Sequence, residues 1–227
     1  MALTHFTSRA GGVSRGAFLD FNLATHVGDS PDAVRANRAL LAEQLEIPEP
    51  QIFYMNQVHG AQVVEVAGEF SPSAAPTADA LFTRERGIAL VVLVADCIPL
   101  LLSAPIAVAA VHVGRKGLVA GVITAALERF AHYGIPASEI KAELGASICA
   151  GCYEVDLETY REVVAKHPAT ATDEERHHLD LAAGVLATLD LAGVGAKVSS
   201  ACTVHTPGYF SYRRDGVTGR QAGVIWM

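Results

Sequence analysis

Residues 88–113 read IALVVLVADCIPLLLSAPIAVAAVHV and form the most apolar part of the chain. Residues 88–95 and 106–113 are nearly all apolar and rich in valine, and residues 99–102 between them form a further apolar segment. Continuous apolar runs of this length are typical of strands that are buried on both faces of a sheet. The stretch therefore predicts core strands at the centre of the chain.

Outward from this centre, helices and strands are interspersed. Ser30 and Pro31 predict a helix that runs to about residue 46, because serine is a preferred N-cap and proline is preferred at the first helical position. An amphipathic pattern predicts a helix over 116–133, which ends at Gly134. Further helices are predicted over 157–167 and 179–191, a loop over 71–77, and further strands over 51–58, 61–66, 78–83, 140–148, 197–203 and 221–226.

This arrangement predicts an α/β (α+β) fold in which helices flank a mixed β-sheet. No linker rich in proline, glycine and serine divides the 227 residues. We therefore expect a single compact domain over residues 1–227.

Composition limits the functions that we expect. The formal net charge of −7 argues against a broad nucleic-acid-binding surface. No apolar segment reaches the length of a membrane span and the N-terminus lacks the pattern of a signal peptide, so we expect a cytoplasmic protein without a membrane partner. Four cysteines do not suggest a disulfide scaffold, and the hydrophobic content of 51% is compatible with a homodimer.

Three potential metal ligands, His59, Cys97 and His112, each lie at the end of a predicted strand. Two imidazoles and one thiolate suit zinc or copper, and three protein ligands leave a fourth position open, as in catalytic zinc sites. The alternative is that Cys97 is a buried core cysteine and that the histidines are hydrogen-bonded structural groups. Their spacing matches no compact zinc signature, so both interpretations stay open on spacing alone.

Two other groups of residues have more than one interpretation. Cys149 and Cys152 form a Cys-x-x-Cys motif, which is a redox pair, half of a zinc site or, as we favour, two ordinary thiols, because no second pair follows and Cys202 is isolated. A basic cluster near the C-terminus would either attract a phosphate-bearing ligand or pair with Asp215 and nearby acids. This cluster contains Arg213, Arg214 and Arg220.

Several strings of the sequence resemble one family, once called multicopper polyphenol oxidases or laccase-like proteins, also YfiH-like, whose members are now described as purine nucleoside phosphorylases. The strings are GGVS (11–14), NLATHVGD (22–29), QVHG (57–60), ADCIPL (95–100), AVH (110–112), CYEV (152–155), FSYRRDG (210–216) and TGR (218–220). Their order and their spread along most of the chain make this a specific match.

The resemblance implies a single α/β domain with Zn²⁺, or alternatively Cu²⁺, held by His59, Cys97 and His112. It implies phosphorolysis of adenosine, inosine and S-methyl-5′-thioadenosine to free base and ribose 1-phosphate, with adenosine deamination as a second activity. A purine nucleoside and phosphate are then the expected partners. This chain departs from the family where a Trp-Arg pair is common after the last histidine, because Arg115 and Lys116 stand there.

Five further residues are our candidates for the chemistry and for binding. Asp96 and Asp79 are candidate proton shuttles, although Asp96 could instead cap a loop or orient a ligand histidine. Arg38 and Arg115 are candidates for phosphate, with surface exposure or a structural ion pair as the alternative for Arg38. Gln57 is a candidate for hydrogen bonding to a base or ribose, or it satisfies backbone groups.

Three rival functions are weighed against phosphorolysis. A copper-dependent polyphenol oxidase of the multicopper type needs many His-x-His pairs, and the nine histidines of this chain contain none. A factor that binds or edits cell-wall precursors has been attributed to relatives, but no residue pattern here recognises a muropeptide. A non-catalytic metal-dependent binding module is disfavoured by the open coordination position.

Overall fold

The apolar centre of the chain contributes its strands to two stacked sheets in this computed structural model, which describes residues 1–67 and 75–227. Part of the loop predicted over 71–77 lies outside the described residues. The strands in chain order are β1 (Leu3–Phe6), β2 (Ile52–Phe53), β3 (Val63–Glu65), β4 (Ala80–Thr83), β5 (Ala89–Val94), β6 (Ile98–Ala104), β7 (Ala107–Val113), β8 (Lys141–Leu144), β9 (Gly195–Val198) and β10 (Gln221–Trp226). The helices are α1 (Pro31–Leu45), α2 (Arg115–Ala120), α3 (Val122–His132), α4 (Leu157–Lys166), α5 (Leu181–Leu191) and α6 (Tyr212–Asp215).

Both sheets are mixed, and the chain crosses from one to the other beside the predicted metal ligands. The four-stranded sheet has the order β1-β10-β5-β2, and the six-stranded sheet has the order β3-β4-β7-β6-β8-β9. Strand β5 belongs to the first sheet and β6 to the second, so residues 95–97 form the crossover. Asp96 has a left-handed φ of 93° in this crossover, a conformation that aspartate tolerates better than most residues.

The two sheets bury one apolar core between them, and helices cover their outer faces. The shared core contains Leu90 and Ile225 from the first sheet together with Leu101 and Val108 from the second. Helix α1 packs on the outer face of the four-stranded sheet, whereas α2 to α5 pack on the outer face of the six-stranded sheet. The predicted α/β fold with flanking helices is therefore confirmed. Its layers are one helix, the four-stranded sheet, the six-stranded sheet and a group of four helices.

The continuous apolar runs form the strands that they predict. Every residue of β5 and of β7 is buried, and β10 has the predicted bounds. Helices α1, α4 and α5 agree with the prediction to within two residues at each end. Among the described residues, none of the helices is long and apolar enough to cross a bilayer.

Six elements differ from the prediction. The strand predicted over 140–148 is limited to Lys141–Leu144, and α6 (Tyr212–Asp215) was not predicted. The helix predicted over 116–133 is two helices, because Gly121 adopts a left-handed φ of 86° that ends α2 and begins α3. The strand predicted over 51–58 is limited to Ile52–Phe53. The strand predicted over 197–203 lies earlier, as Gly195–Val198, and its residues are all exposed, so no apolar alternation marks it. Strand Leu3–Phe6 was not predicted.

Candidate metal centre

The fold brings His59, Cys97 and His112 together at the crossover between the sheets. Antiparallel pairing of β6 with β7 sets Ile98 opposite Val113, which places Cys97 beside His112. One potential ligand atom from each of the three residues lies within 4.8 Å of the others, and Cys97 Sγ is 3.9 Å from His59 Nε2. This group could hold a metal ion, and its two imidazoles and one thiolate fit zinc or copper while leaving a coordination position open.

Asp79 fixes two of these residues in place. Its fully buried carboxylate accepts hydrogen bonds from the backbone N–H groups of Val58 (3.2 Å), His59 (2.9 Å) and Gly60 (2.6 Å). It also contacts His112 Nδ1 at 2.8 Å, which leaves Nε2 as the histidine nitrogen available to a metal. These contacts favour a positioning role for Asp79 over proton transfer at the cavity.

The environment of Cys97 favours its thiolate. Burial by itself would raise the pKa of the Cys97 thiol, but the adjacent His112 and His59 imidazoles outweigh that effect and lower the pKa to about 6. Burial would likewise lower the pKa of His112, whereas Cys97 and Asp79 together raise it to about 9. Because a metal binds the thiolate and the neutral imidazole, metal binding at this site releases a proton.

A cavity of about 360 Å³ opens onto the three potential ligands. Its wall also includes Gln57, Asp96, Tyr153, Tyr212, Arg213 and Arg220. His26 is a further lining residue, and its pKa is lowered by burial and by the nearby positive charges of Arg220 and Arg38. The cavity thus combines a candidate metal centre, two aromatic side chains and a local excess of positive charge, within the size range of small-ligand sites.

A second cavity of about 310 Å³ meets the same centre and contains the residues that depart from the family pattern. It is lined by Val58, His59, Cys97, Tyr153, Arg115 and Lys116. Arg115 begins α2, and its Nη1 lies 3.9 Å from Glu162 Oε2. The two cavities share His59, Cys97 and Tyr153, so both of the cavities that meet the candidate metal centre contain positively charged side chains.

Gln57 and Asp96 line the first cavity while their side chains hold the backbone. The Gln57 amide donates to the Leu93 carbonyl (2.8 Å) and accepts from the Leu93 N–H (2.9 Å), so it continues the pairing along β5 after β2 has ended. The Asp96 carboxylate accepts from the Thr203 hydroxyl (2.6 Å) and the Arg213 N–H (2.7 Å). Both arrangements agree with the structural alternatives for these two residues.

Arg38 does not line either cavity. Its Nε and Nη2 donate to the Leu23 carbonyl at 3.0 and 2.9 Å, and its guanidinium lies 3.7 Å from the centroid of the Tyr54 ring. These contacts favour a structural role.

The C-terminal basic cluster divides between the two roles weighed for it. Arg214 pairs with Asp215 and donates to backbone carbonyls, whereas Arg213 and Arg220 line the first cavity. Tyr153 and Tyr212 were not predicted as site residues. Both lie within strings that carry the family resemblance, CYEV and FSYRRDG, and this was the available signal.

The similarities of this chain to known proteins extend over its full length. The sequence profile of the family described as multi-copper polyphenol oxidoreductase laccase matches residues 3–227. The chain is 45% identical over 227 residues to a purine nucleoside phosphorylase of Streptomyces coelicolor, covering 98% of this chain and 94% of that protein. It is 36% identical over 231 residues to one of Pseudomonas aeruginosa, covering 97% and 91%.

Solved structures with the same fold agree with these sequence matches. A Neisseria meningitidis protein of the DUF152 family superposes with a TM-score of 0.89 at 37% identity, covering 100% of this chain and 94% of that one. The YfiH protein of Bacillus licheniformis superposes with a TM-score of 0.94 at 27% identity, covering 100% and 92%.

Proposed function

The chain belongs to the multi-copper polyphenol oxidoreductase laccase family. Because full-length relatives such as the Streptomyces coelicolor protein are named purine nucleoside phosphorylases, we propose that this chain is a zinc-dependent purine nucleoside phosphorylase. Its substrates would be adenosine, inosine and S-methyl-5′-thioadenosine, with adenosine deamination as a second activity in the same cavity. In phosphorolysis a phosphate oxygen bonds to C1′ of the ribose while the bond from C1′ to the base nitrogen breaks. The base leaves with that electron pair and takes up a proton.

The observation that carries this proposal is that aromatic side chains, cationic side chains and potential metal ligands line one cavity. Tyr153 and Tyr212 offer aromatic surface to a purine, which is apolar on its faces. Arg220 Nη1 donates to two backbone carbonyls, and its Nε and Nη2 have no hydrogen-bond partner within residues 1–67 and 75–227. Those free donors suit the two oxygens of a phosphate, and Arg213 adds positive charge to the same cavity.

Arg115 and Lys116 supply a second group of cations for phosphate in the second cavity. The lysine offers a point charge where the family commonly has the planar fork of an arginine, so we expect the bidentate contact, if any, to come from Arg115.

The metal would be held by His59, Cys97 and His112, with Asp79 keeping two of them oriented. Bound zinc would supply a Lewis acid that polarises an oxygen of the reactants. Asp79 would act by holding His112 Nδ1, and Asp96 by anchoring the wall that carries Arg213. We further expect one domain over residues 1–227 and a cytoplasmic location, and the hydrophobic content of 51% is compatible with a homodimer.

The test combines turnover and metal content on one sample. Wild-type protein should release adenine from adenosine only with phosphate. Cys97→Ala and His59→Ala should each contain about one zinc ion fewer and lose that activity, since three ligands hold the ion. His132→Ala, which changes an exposed histidine on α3, should behave as wild type. Full phosphorolysis by a Cys97→Ala protein that has lost this metal would overturn the zinc mechanism.

Copper with phenol oxidation is the alternative that the family description and the donor set both allow. The same purified sample separates the two. Copper bound by the triad of His59, Cys97 and His112, together with oxidation of a phenol and no release of adenine, would replace our proposal with this one.

A further inference from the structure

A second group of potential metal ligands lies outside the triad. Cys149 and Cys152 form Cys-x-x-Cys, and Cys202 and His205 form Cys-x-x-His. One potential ligand atom from each of the four residues lies within 4.8 Å of the others, and Cys152 Sγ is 3.0 Å from His205 Nε2. The interpretation of Cys202 as isolated is therefore wrong, because the fold brings the Cys-x-x-His motif that contains it beside Cys149 and Cys152.

Backbone pairing brings the two halves together. Ser147 and Cys202 form a parallel bridge, with hydrogen bonds from the Thr203 N–H to the Ser147 carbonyl (3.1 Å) and from the Ser147 N–H to the Ala201 carbonyl (3.4 Å). Two residues beyond this bridge, Cys149 begins a tight turn that the Cys152 N–H closes at 3.0 Å. The position of the four side chains thus follows from hydrogen-bonded backbone.

The surroundings of Cys202 suit a metal-bound thiolate. Its sulfur is buried and accepts a hydrogen bond from the Cys149 N–H at 3.4 Å. An amide donor directed at a sulfur stabilises negative charge on it.

We propose that Cys149, Cys152, Cys202 and His205 form a second, structural zinc site. Three thiolates and one imidazole are an established tetrahedral zinc set, and bond lengths of about 2.0 to 2.3 Å place neighbouring ligand atoms roughly 3.3 to 3.8 Å apart. The observed group needs only small side-chain movements to reach that arrangement. Four protein ligands fill the coordination sphere, so no position remains for a substrate.

This zinc would fix one wall of the first cavity. Arg213 Nη1 and Nη2 donate to the carbonyls of Cys152 (3.3 Å) and Glu154 (2.8 Å), and Tyr153 between them lines the cavity. Arg214 Nη1 donates to the Thr203 carbonyl at 2.8 Å, next to Cys202. A metal that joins the two turns would therefore fix the positions of Tyr153 and Arg213 in the cavity wall.

Metal analysis of tag-free protein tests the proposal without reference to turnover. We expect about two zinc ions per wild-type chain, one in each site. Cys152→Ser and His205→Ala should each lose about one of them, Cys97→Ala should lose the other, and Cys97→Ala combined with Cys152→Ser should retain none. His132→Ala should keep the wild-type content. His205 is exposed, so its replacement gives a folded control should Cys152→Ser fail to fold.

Cobalt substitution in the Cys97→Ala background isolates the second site. We expect the visible absorption of tetrahedral cobalt and a strong thiolate-to-cobalt charge-transfer band, both of them lost in the added Cys152→Ser change and kept in the added His205→Cys change. Metal-free Cys97→Ala protein, wild-type zinc content in Cys152→Ser, or a Cys149–Cys152 disulfide in the purified protein would each overturn the proposal. None of these outcomes depends on the reaction at the triad.

Discussion

At the scale of single residues, Gly114 leaves the space in which the triad assembles. A Cβ atom at this position would lie 2.9 Å from His59 Cδ2 and 3.1 Å from Cys97 Sγ. The backbone there has φ −89° and ψ 170°, which any residue adopts. Glycine is therefore required for space beside two potential ligands and not for backbone freedom.

We predict that Gly114→Ala weakens zinc binding at the triad and lowers phosphorolysis while the protein stays folded. The methyl group would displace His59 and Cys97, and misoriented ligands typically lower metal affinity by about 10- to 100-fold. Competition with a chromogenic chelator measures the change. Gly195→Ala is the matched control and should bind zinc as wild type does, because a Cβ there meets no atom of the described part of the chain within 4 Å beyond its two neighbours. Equal affinities of the two variants would contradict this account.

At the scale of elements, the junction between α2 and α3 depends on one backbone conformation. Gly121 ends α2 with N–H contacts to carbonyls of that helix and begins α3 with φ 86°. The amphipathic pattern over 116–133 continues through the junction, because both helices cover the same sheet. Periodicity therefore predicts the buried face correctly but cannot reveal the break.

We predict that Gly121→Ala lowers the free energy of unfolding by about 1 to 2 kcal/mol, the cost of a left-handed conformation for a residue with a Cβ. Apart from its own helix and its chain neighbours, no atom of residues 1–67 and 75–227 lies within 4 Å of the added Cβ, so we expect the effect to come from strain of the backbone. Urea denaturation measures it, with Gly195→Ala as the control without a positive φ. Unchanged or increased stability of Gly121→Ala would mean that the two helices can merge, contrary to this prediction.

At the scale of the whole molecule, the two sheets share one interior. Leu101 of β6 is 1% exposed and belongs to the same apolar cluster as Ile225 of β10, in the other sheet. Removing apolar volume here affects both sheets at once, because close-packed interiors transmit the loss of contacts.

We predict that Leu101→Ala lowers the free energy of unfolding by about 2 to 5 kcal/mol and leaves a single transition. The sole tryptophan, Trp226, reports on the four-stranded sheet, and far-ultraviolet circular dichroism reports on all elements. The two signals should shift together in denaturant. Leu191→Ala, at a side chain that is 89% exposed, should change little. Separate transitions of the two signals would show that the sheets unfold as independent units and would contradict a single domain.

The core strands, the principal helices and the three residues of the triad can be predicted from the sequence. Strands β5 and β7 follow from continuous apolar runs, because burial on both faces excludes polar side chains from local sequence. His59, Cys97 and His112 lie in the strings QVHG, ADCIPL and AVH, which carry the resemblance to the family and identify each of the three residues. In these cases the information is carried by residues that are neighbours along the chain.

Contacts between groups that are distant along the chain become visible only in the folded protein. Strands β5 and β6 follow each other along the chain but belong to different sheets, because their partner strands come from distant parts of the sequence. The contact of Asp79 with His112 and the hydrogen bond of Gln57 to Leu93 also join residues far apart in sequence. The meeting of Cys202 with Cys149 is of the same kind. Such contacts are selected by the packing and hydrogen bonding of the complete fold, so no local pattern records them.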